Sequence, residues 1–467
     1  MKARVPAFDS GLQWAYLGVS LAAAGTLMAV ASGSFLGPLK SAAVAALVIL
    51  AGAGIALGAM RWFPALIFTL TPAVCVFNTR RGFFPFDLVI LGLAAYALLD
   101  ALWRRDLRVP GPRALHLAFL AVIVSGLVTL FMAREFTSFG GAMKRVVVGY
   151  LGAAVVFRFA DRRRWPWFAL SIPVAGAATS FLVIGAYATR GFLVHRAYEL
   201  RTFYSNVGWG TSNYVGAVVS LALLGSVVLL VLPSRPWLRV ASAISLIPMG
   251  LCMALLVSRG TIVAVGLGLL GLFLVGRGRY RWGILALGAL GTALIIQLPV
   301  FRVILLRFTV ASQSFSYYAR LVHWKLALHR FLTHPLFGVG LGQGRFQTDE
   351  LQSLDPHNYF LSVASETGLP GLLAWTALLV IFFRTAWVAA RGDTERAAWA
   401  SSLGVLLLVA AIHSCYEPTF TGANYFFLLF WIAAILHRAA DPMEPAGSAE
   451  AADLLTGAQV PARASPS

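Results

Sequence analysis

The run His357-Asn358-Tyr359-Phe360-Leu361-Ser362-Val363-Ala364-Ser365-Glu366-Thr367-Gly368-Leu369-Pro370-Gly371 sets an imidazole, an amide and a carboxylate where a polar loop gives way to a membrane-length apolar segment. His is the side chain best able to exchange a proton near neutral pH, and lipid-linked substrates present their reactive headgroups at that depth. Such a group can take the proton of an acceptor hydroxyl. A second set of residues is cationic. The guanidinium forks of Arg201, Arg259 and Arg320 suit phosphate oxygens, which they bind bidentately and with most strength where water is scarce. Each of these residues also has a plainer reading: His357 as a polar residue at a helix entrance, the arginines as snorkelling side chains that reach the headgroups.

The elements that must position these residues are membrane helices. With 59% hydrophobic and only 12% charged residues over 467 positions, an ordinary soluble domain is excluded, and the fold class expected is an all-α polytopic membrane protein. Runs such as Gly11 to Ala31, Ala114 to Met132 and Pro166 to Ala188 approach the roughly 20 residues that cross about 30 Å of hydrocarbon. The pattern predicts 12 to 14 spans, with 12 the best count; Pro64 to Phe77 and Thr261 to Gly276 could be short spans, broken helices or re-entrant segments. Residues 1–440 then form a single integral membrane domain, and the Ala, Pro, Ser and Glu-rich tail 441–467 is expected to be disordered and cytoplasmic.

Orientation follows from Lys and Arg. Arg104, Arg105, Arg108 and Arg113 mark one cytoplasmic loop, Arg162 to Arg164 another, and Arg277, Arg279 and Arg281 a third. Alternation from these puts both termini in the cytoplasm, makes the first apolar run a signal anchor rather than a cleaved signal peptide, and leaves Phe301 to Glu366 as the long outer loop. The net charge of +19 is only partly explained by the inner loops, and the cations left outside suit either anionic headgroups or a polyanionic ligand. Nucleic acid is not indicated, since no soluble module carries the charge. Cys75, Cys252 and Cys415 lie in apolar segments without metal-like spacing, and the acidic residues of the outer loops form no ligand set, so no metal and no cofactor is expected.

Within the outer loop, Tyr317, Leu321, Trp324, Leu328 and Phe331 recur at helical spacing and predict an amphipathic helix lying on the membrane surface, ended near His334 by Pro335. The alternating glycines Gly338, Gly340, Gly342 and Gly344 match no nucleotide-binding fingerprint and predict tight loop packing instead.

Taken in order, Ser258-Arg259-Gly260, Arg320-x3-Trp324, His334-Pro335-x2-Gly338-x-Gly340-x-Gly342 and His357-Asn358-x7-Glu366-x-Gly368-x2-Gly371 resemble the superfamily of O-antigen ligases and O-antigen polymerases, with Arg201, Asn206 and Asn213 as a looser fifth element. The single long outer loop, the His-Asn-x7-Glu run at its end and the lack of a soluble C-terminal domain favour the ligase branch.

That resemblance implies a membrane-embedded glycosyltransferase of the GT-C type in the bacterial inner membrane, with a periplasmic active site. It would move polysaccharide from undecaprenyl diphosphate to lipid A-core oligosaccharide; the polymerase branch would use a second lipid-linked repeat unit as acceptor. The resemblance implies His357 as base, with Glu366 as an alternative base or supporting partner, Arg201, Arg259 and Arg320 on the diphosphate, and Asn358 and His334 as substrate contacts. A protein oligosaccharyltransferase and a lipid-linked glycan transporter are the competing readings.

Overall fold

The computed structural model describes residues 63–77, 85–103, 105–106, 111–160, 164–189, 212–232, 234–297, 313–344, 346–348, 351–354, 356–392, 395–417 and 425–440. Arg201, the proposed signal anchor and the tail 441–467 lie outside the described residues. The described chain is helical: α1 Phe63–Leu70, α2 Pro85–Trp103, α3 Arg113–Val128, α4 Phe136–Phe159, α5 Trp165–Ala188, α6 Ser212–Val231, α7 Pro236–Leu256, α8 Arg259–Val275, α9 Arg279–Gln297, α10 Gln313–Thr333, α11 Tyr359–Ala390, α12 Glu395–Ser414 and α13 Tyr425–Ala440. A short antiparallel hairpin, β1 Phe346–Thr348 with β2 Leu351–Leu354, interrupts this pattern between α10 and α11.

Eight of these helices are long and apolar enough to cross a membrane, and α8 and α13 are shorter apolar helices packed among them. The architecture is the expected all-α polytopic one. Several helices begin with Pro in the first turn, as α2, α5 and α7 do, where its missing N–H costs no intrahelical bond and its fixed φ suits the helix. Pro64–Phe77 resolves into α1 and a 3-10 turn at Pro72–Phe77, and Thr261–Gly276 into the continuous helix α8.

Helices pack through small residues. A Cβ on Gly149 or Gly152 of α4 would collide with the rings of Phe430 and Phe427, so α13 lies directly on the α4 backbone. The interior here is aromatic, with Trp431, Phe427 and Phe119 fully buried.

The two ends of the bundle differ in kind. At one end Arg158 pairs with Asp100 at 2.8 Å and Asp106 at 3.3 Å, and Arg277 donates to the carbonyls of Ala390 and Gly392, tying the α8–α9 turn to the end of α11. Because α8 and α11 both end there, both must start at the opposite end. That end carries Arg259, His357, α10 and the hairpin.

The predicted surface helix forms as α10 and stops at Thr333, one residue before His334. Its buried residues are His323 and Ala327, while Leu328 and Leu332 are exposed and Leu321, Trp324 and Phe331 are half-buried. The packed face is thus rotated from the expected stripe. Ala327 supplies no bulk, and that lets the helix lie close against α11.

Candidate functional site

The site is built from the start of α11. Asn358, in extended conformation at φ −149°, caps the helix: its Oδ1 accepts from Leu361 N at 3.1 Å and its carbonyl accepts from Ser362 N at 3.0 Å. Immediately before it, His357 holds φ at 53°, in the left-handed region that costs a side-chain-bearing residue about 1 kcal/mol. The side chain remains 30% exposed.

What the imidazole meets is Glu417, on the turn after α12. His357 Nδ1 lies 3.4 Å from Glu417 Oε2, while Arg320 of α10 donates through Nη2 to Glu417 Oε1 at 2.6 Å. The carboxylate side chain is only 7% exposed. Burial would raise its pKa, but contact with His357 and the charges of Arg320 and His413 outweigh burial and hold it below the ordinary carboxylate range. One buried anion therefore gathers two of the sequence-predicted residues from different elements. His323 adds a further imidazole, buried on α10 with its ring 6.4 Å from that of His357.

The third motif reaches the same place through the backbone. Ser258 caps α8, its Oγ accepting from Thr261 N at 3.4 Å and lying 3.4 Å from Asn213 Oδ1. This starts the helix at Arg259. The next residue, Gly260, packs so closely that an added Cβ would stand 3.0 Å from the Tyr416 ring and 3.5 Å from His413 Nε2. Tyr416 OH donates to the Gly260 carbonyl at 3.1 Å. Burial, followed by the negative charge of Glu417, pushes that phenol up, so it remains a donor. The Ser-Arg-Gly motif is thereby fixed against the turn that carries Glu417.

Residues 244–376 match the family model described as O-antigen ligase. The match covers 133 of the 467 residues and shows that this segment is similar to that family. No curated protein matches the chain. The matched segment contains Arg259, Arg320, His334, His357, Asn358 and Glu366, and excludes Arg201 and Glu417.

Within that segment, Glu366 stands apart from His357. Its Oε2 accepts from Gly342 N at 2.8 Å and its Oε1 from Gly344 N at 3.1 Å. Its own carbonyl accepts from Gly340 N at 3.0 Å, and the Ser365 carbonyl from Val339 N at 2.9 Å. The glycine loop is therefore clasped to α11 at the point where Gly368, at φ 66° and ψ −162°, breaks the helix. Leu369 N, freed by that break, donates to Pro335 O at 2.7 Å. A Cβ on Gly368 would stand 2.6 Å from the Leu336 carbonyl carbon and oxygen, so this position excludes side chains both by backbone conformation and by space.

The other side of the glycine loop rests on the turn between α3 and α4. Leu341 N donates to Thr129 Oγ1 at 3.0 Å, and Gln343 exchanges two bonds with the Glu135 backbone, at 3.2 and 3.0 Å. Arg330 donates to the Gln343 carbonyl at 3.3 Å. His334 is exposed at the start of this turn, 3.0 Å from Thr333 Oγ1, and its carbonyl accepts from Gly338 N.

The structure thus joins His357 and Arg320 on Glu417, with Asn358 capping the helix that follows His357 and the Arg259 helix start packed through Gly260 on Tyr416, and sets Glu366 and His334 at a second junction. Glu417, Tyr416 and His323 complete the first cluster without belonging to any motif. The available signal for Glu417 was its place just after an apolar span near His413, as an acid in a chain with 18 acidic and 37 basic residues. Among the described residues no group of three or more His, Cys, Asp or Glu side chains is arranged to hold a metal ion.

Proposed function

We propose that this protein is an O-antigen ligase that transfers polysaccharide from undecaprenyl diphosphate to lipid A-core oligosaccharide on the periplasmic side of the bacterial inner membrane. The observation that carries the reading is that His357 and Arg320 meet one buried carboxylate, Glu417, on the same turn whose Tyr416 bonds the Gly260 carbonyl beside Arg259. The family match supports the coarser statement, a ligase- or polymerase-type role in lipopolysaccharide assembly.

In this reading His357 is the base. With Nδ1 buried 3.4 Å from Glu417 Oε2, Nε2 is the nitrogen assigned to take the proton from the acceptor hydroxyl, and the nearby Glu417 stabilises the imidazolium that results. The hydroxyl oxygen attacks the anomeric carbon, the bond from that carbon to the diphosphate oxygen breaks, and the electron pair leaves with undecaprenyl diphosphate. That leaving group needs positive charge and no proton. Arg259 and Arg320 supply the charge, with Arg201 as a further clamp, and the reaction needs no metal. Asn358 acts by holding the helix start that orients His357, and His334 is the more distant substrate contact. Glu366 supports the site through the loop it clasps.

Reconstitution into vesicles decides between the readings. Donor and lipid A-core together should yield joined product, insensitive to chelator, and donor alone should yield none. A glycan lengthened from donor alone identifies a polymerase. Donor that crosses the bilayer without being joined to anything identifies a transporter, and activity lost to chelator and restored by Mg²⁺ or Mn²⁺ overturns metal independence.

A further inference from the structure

Between α3 and α11 the surface of the bundle is concave. A groove of about 440 Å³ lies there, walled by Val124 and Val128 on one side and Leu373 and Ala374 on the other, and roofed by Leu336 and Phe337. Its two hydroxyls are turned inward, Ser125 donating to the Val122 carbonyl and Thr367 to the Val363 carbonyl, so the wall offers no polar group that a chain would have to desolvate. Apolar surface continues past the roof through exposed Leu332 and Phe131.

The roof carries charge. Leu336 and Phe337 lead into the glycine loop, and Gly340 of that loop backs onto Ala133, the residue before Arg134. Arg134 is exposed on this turn, and Arg330 is half-buried in the last turns of α10. Burial and then the charge of Arg134 push Arg330 below its ordinary value, with Glu366 opposing them. Arg330 donates to the Gln343 carbonyl, and Gln343 bonds the Glu135 backbone next to Arg134, so both guanidinium groups belong to one loop junction above the apolar groove, at the end of the bundle where the site lies. That is the complement of a phosphorylated lipid, with a phosphate between the forks and an acyl chain below.

We propose that this groove seats the lipid anchor of the acceptor, an acyl chain lying between α3 and α11 and a phosphate on Arg134 and Arg330. The proposal rests on the ligase reading, and covalent geometry separates acceptor from donor. A prenyl donor has its chain bonded directly to the reacting diphosphate, so the chain must leave from the His357 cluster. The acceptor reacts at a hydroxyl on its oligosaccharide, distant from its lipid phosphates, so its anchor belongs away from the base. Thr367, at the upper end of the groove, is eight residues along α11 from Tyr359, about 12 Å, and the clasped glycine loop lies between.

The test uses the full-length protein in zwitterionic nanodiscs, with phosphorylated and dephosphorylated lipid A-core as probes. Binding is read by native mass spectrometry without donor, and transfer is read separately as KM for each substrate. Arg134→Glu and Leu373→Trp alter exposed side chains and leave the core intact. The wild type should bind the phosphorylated lipid about tenfold more tightly than the dephosphorylated one. Arg134→Glu should erase that preference, and Leu373→Trp should weaken both. Each variant should raise the acceptor KM about tenfold and leave the donor KM unchanged. Equal binding of both lipids by the wild type would show ordinary boundary lipid and overturn the proposal, as would a rise in the donor KM in Leu373→Trp, which would place the prenyl chain in the groove. Phosphate-selective binding that Arg134→Glu abolishes, in a protein that transfers nothing, would overturn the ligase reading and support the lipid site.

Discussion

Glu417 and Glu366 sit at the same end of the bundle, each beside an arginine and each holding motif-bearing segments together, yet they are bonded in opposite ways. Glu417 is held by side chains, Arg320 at 2.6 Å and His357 at 3.4 Å, from two separate elements. Glu366 is held by backbone, the N–H groups of Gly342 and Gly344. A carboxylate held by side chains can exchange partners when a competing anion such as a diphosphate arrives and draws the arginine away; one bonded to backbone amides can do so only if the loop unfolds. The first arrangement suits chemistry and the second suits architecture. That difference could not be read from residue type or spacing.

The largest effect should come from the base. His357→Ala is expected to lower turnover by about 10²- to 10⁴-fold, the usual contribution of a positioned acid–base group, with the helical circular dichroism spectrum unchanged. A variant that transfers at the wild-type rate would remove the distinction between the two junctions, since neither would then carry the reaction. Next come the cations. Arg259→Ala and Arg320→Ala should each cost about ten- to a hundredfold in kcat/KM for the donor, the worth of one charge-assisted contact. Arg320→Ala should also destabilise the protein by about 3 kcal/mol, because it strips a partner from the buried Glu417. Arg259→Ala should not, and similar thermal shifts for the two variants would contradict the role given to Glu417.

The two carboxylates can be compared directly by isosteric exchange. Glu417→Gln should lower turnover about tenfold, because the imidazolium formed at His357 loses its counter-charge. Glu366→Gln should leave turnover within about twofold and instead cost about 1–3 kcal/mol of stability, since it replaces one of the two accepting oxygens with an NH2 donor that faces a loop N–H. Gly368→Ala belongs with Glu366→Gln: a side chain at φ 66° against the Leu336 carbonyl should cost about 1–3 kcal/mol. If Glu366→Gln were the slower enzyme of the pair, the assignment of roles would have to be reversed.

Much of this was legible beforehand, for definite physical reasons. Apolar length alone marks membrane helices and Pro335 stops α10, because these are local effects of composition and backbone geometry, whereas the cap that Asn358 places on α11 first appears in the structure. Tight packing of the glycine loop was also legible, since alternating glycines leave the backbone free to approach. The rotation of α10 and the partners of the two carboxylates were not, because both depend on which helices lie side by side. Glu417 is 60 residues from His357 in sequence, and nothing local to either residue joins them. Arg259 could be named from the motif order, whereas the packing of Gly260 on Tyr416, which ties that helix start to the Glu417 turn, could not.

The smallest expected effect is the response of stability to acid, and it separates the carboxylates most finely. Contact with His357 and the charges of Arg320 and His413 depress the Glu417 carboxyl despite its burial. A group whose pKa is lower folded than unfolded stabilises the protein fully above the unfolded value, about 4.3, and loses that contribution as the pH falls through the lower folded value. Stability should therefore be flat with respect to this group across neutral pH and should fall only below about pH 4. Glu417→Gln removes the titration and should flatten that acid limb, which would be seen as a smaller drop in melting temperature between pH 5 and pH 3. An acid limb identical in wild type and Glu417→Gln would mean that Glu417 is not the charged anchor of the cluster, and the contrast with Glu366 would then rest on activity alone.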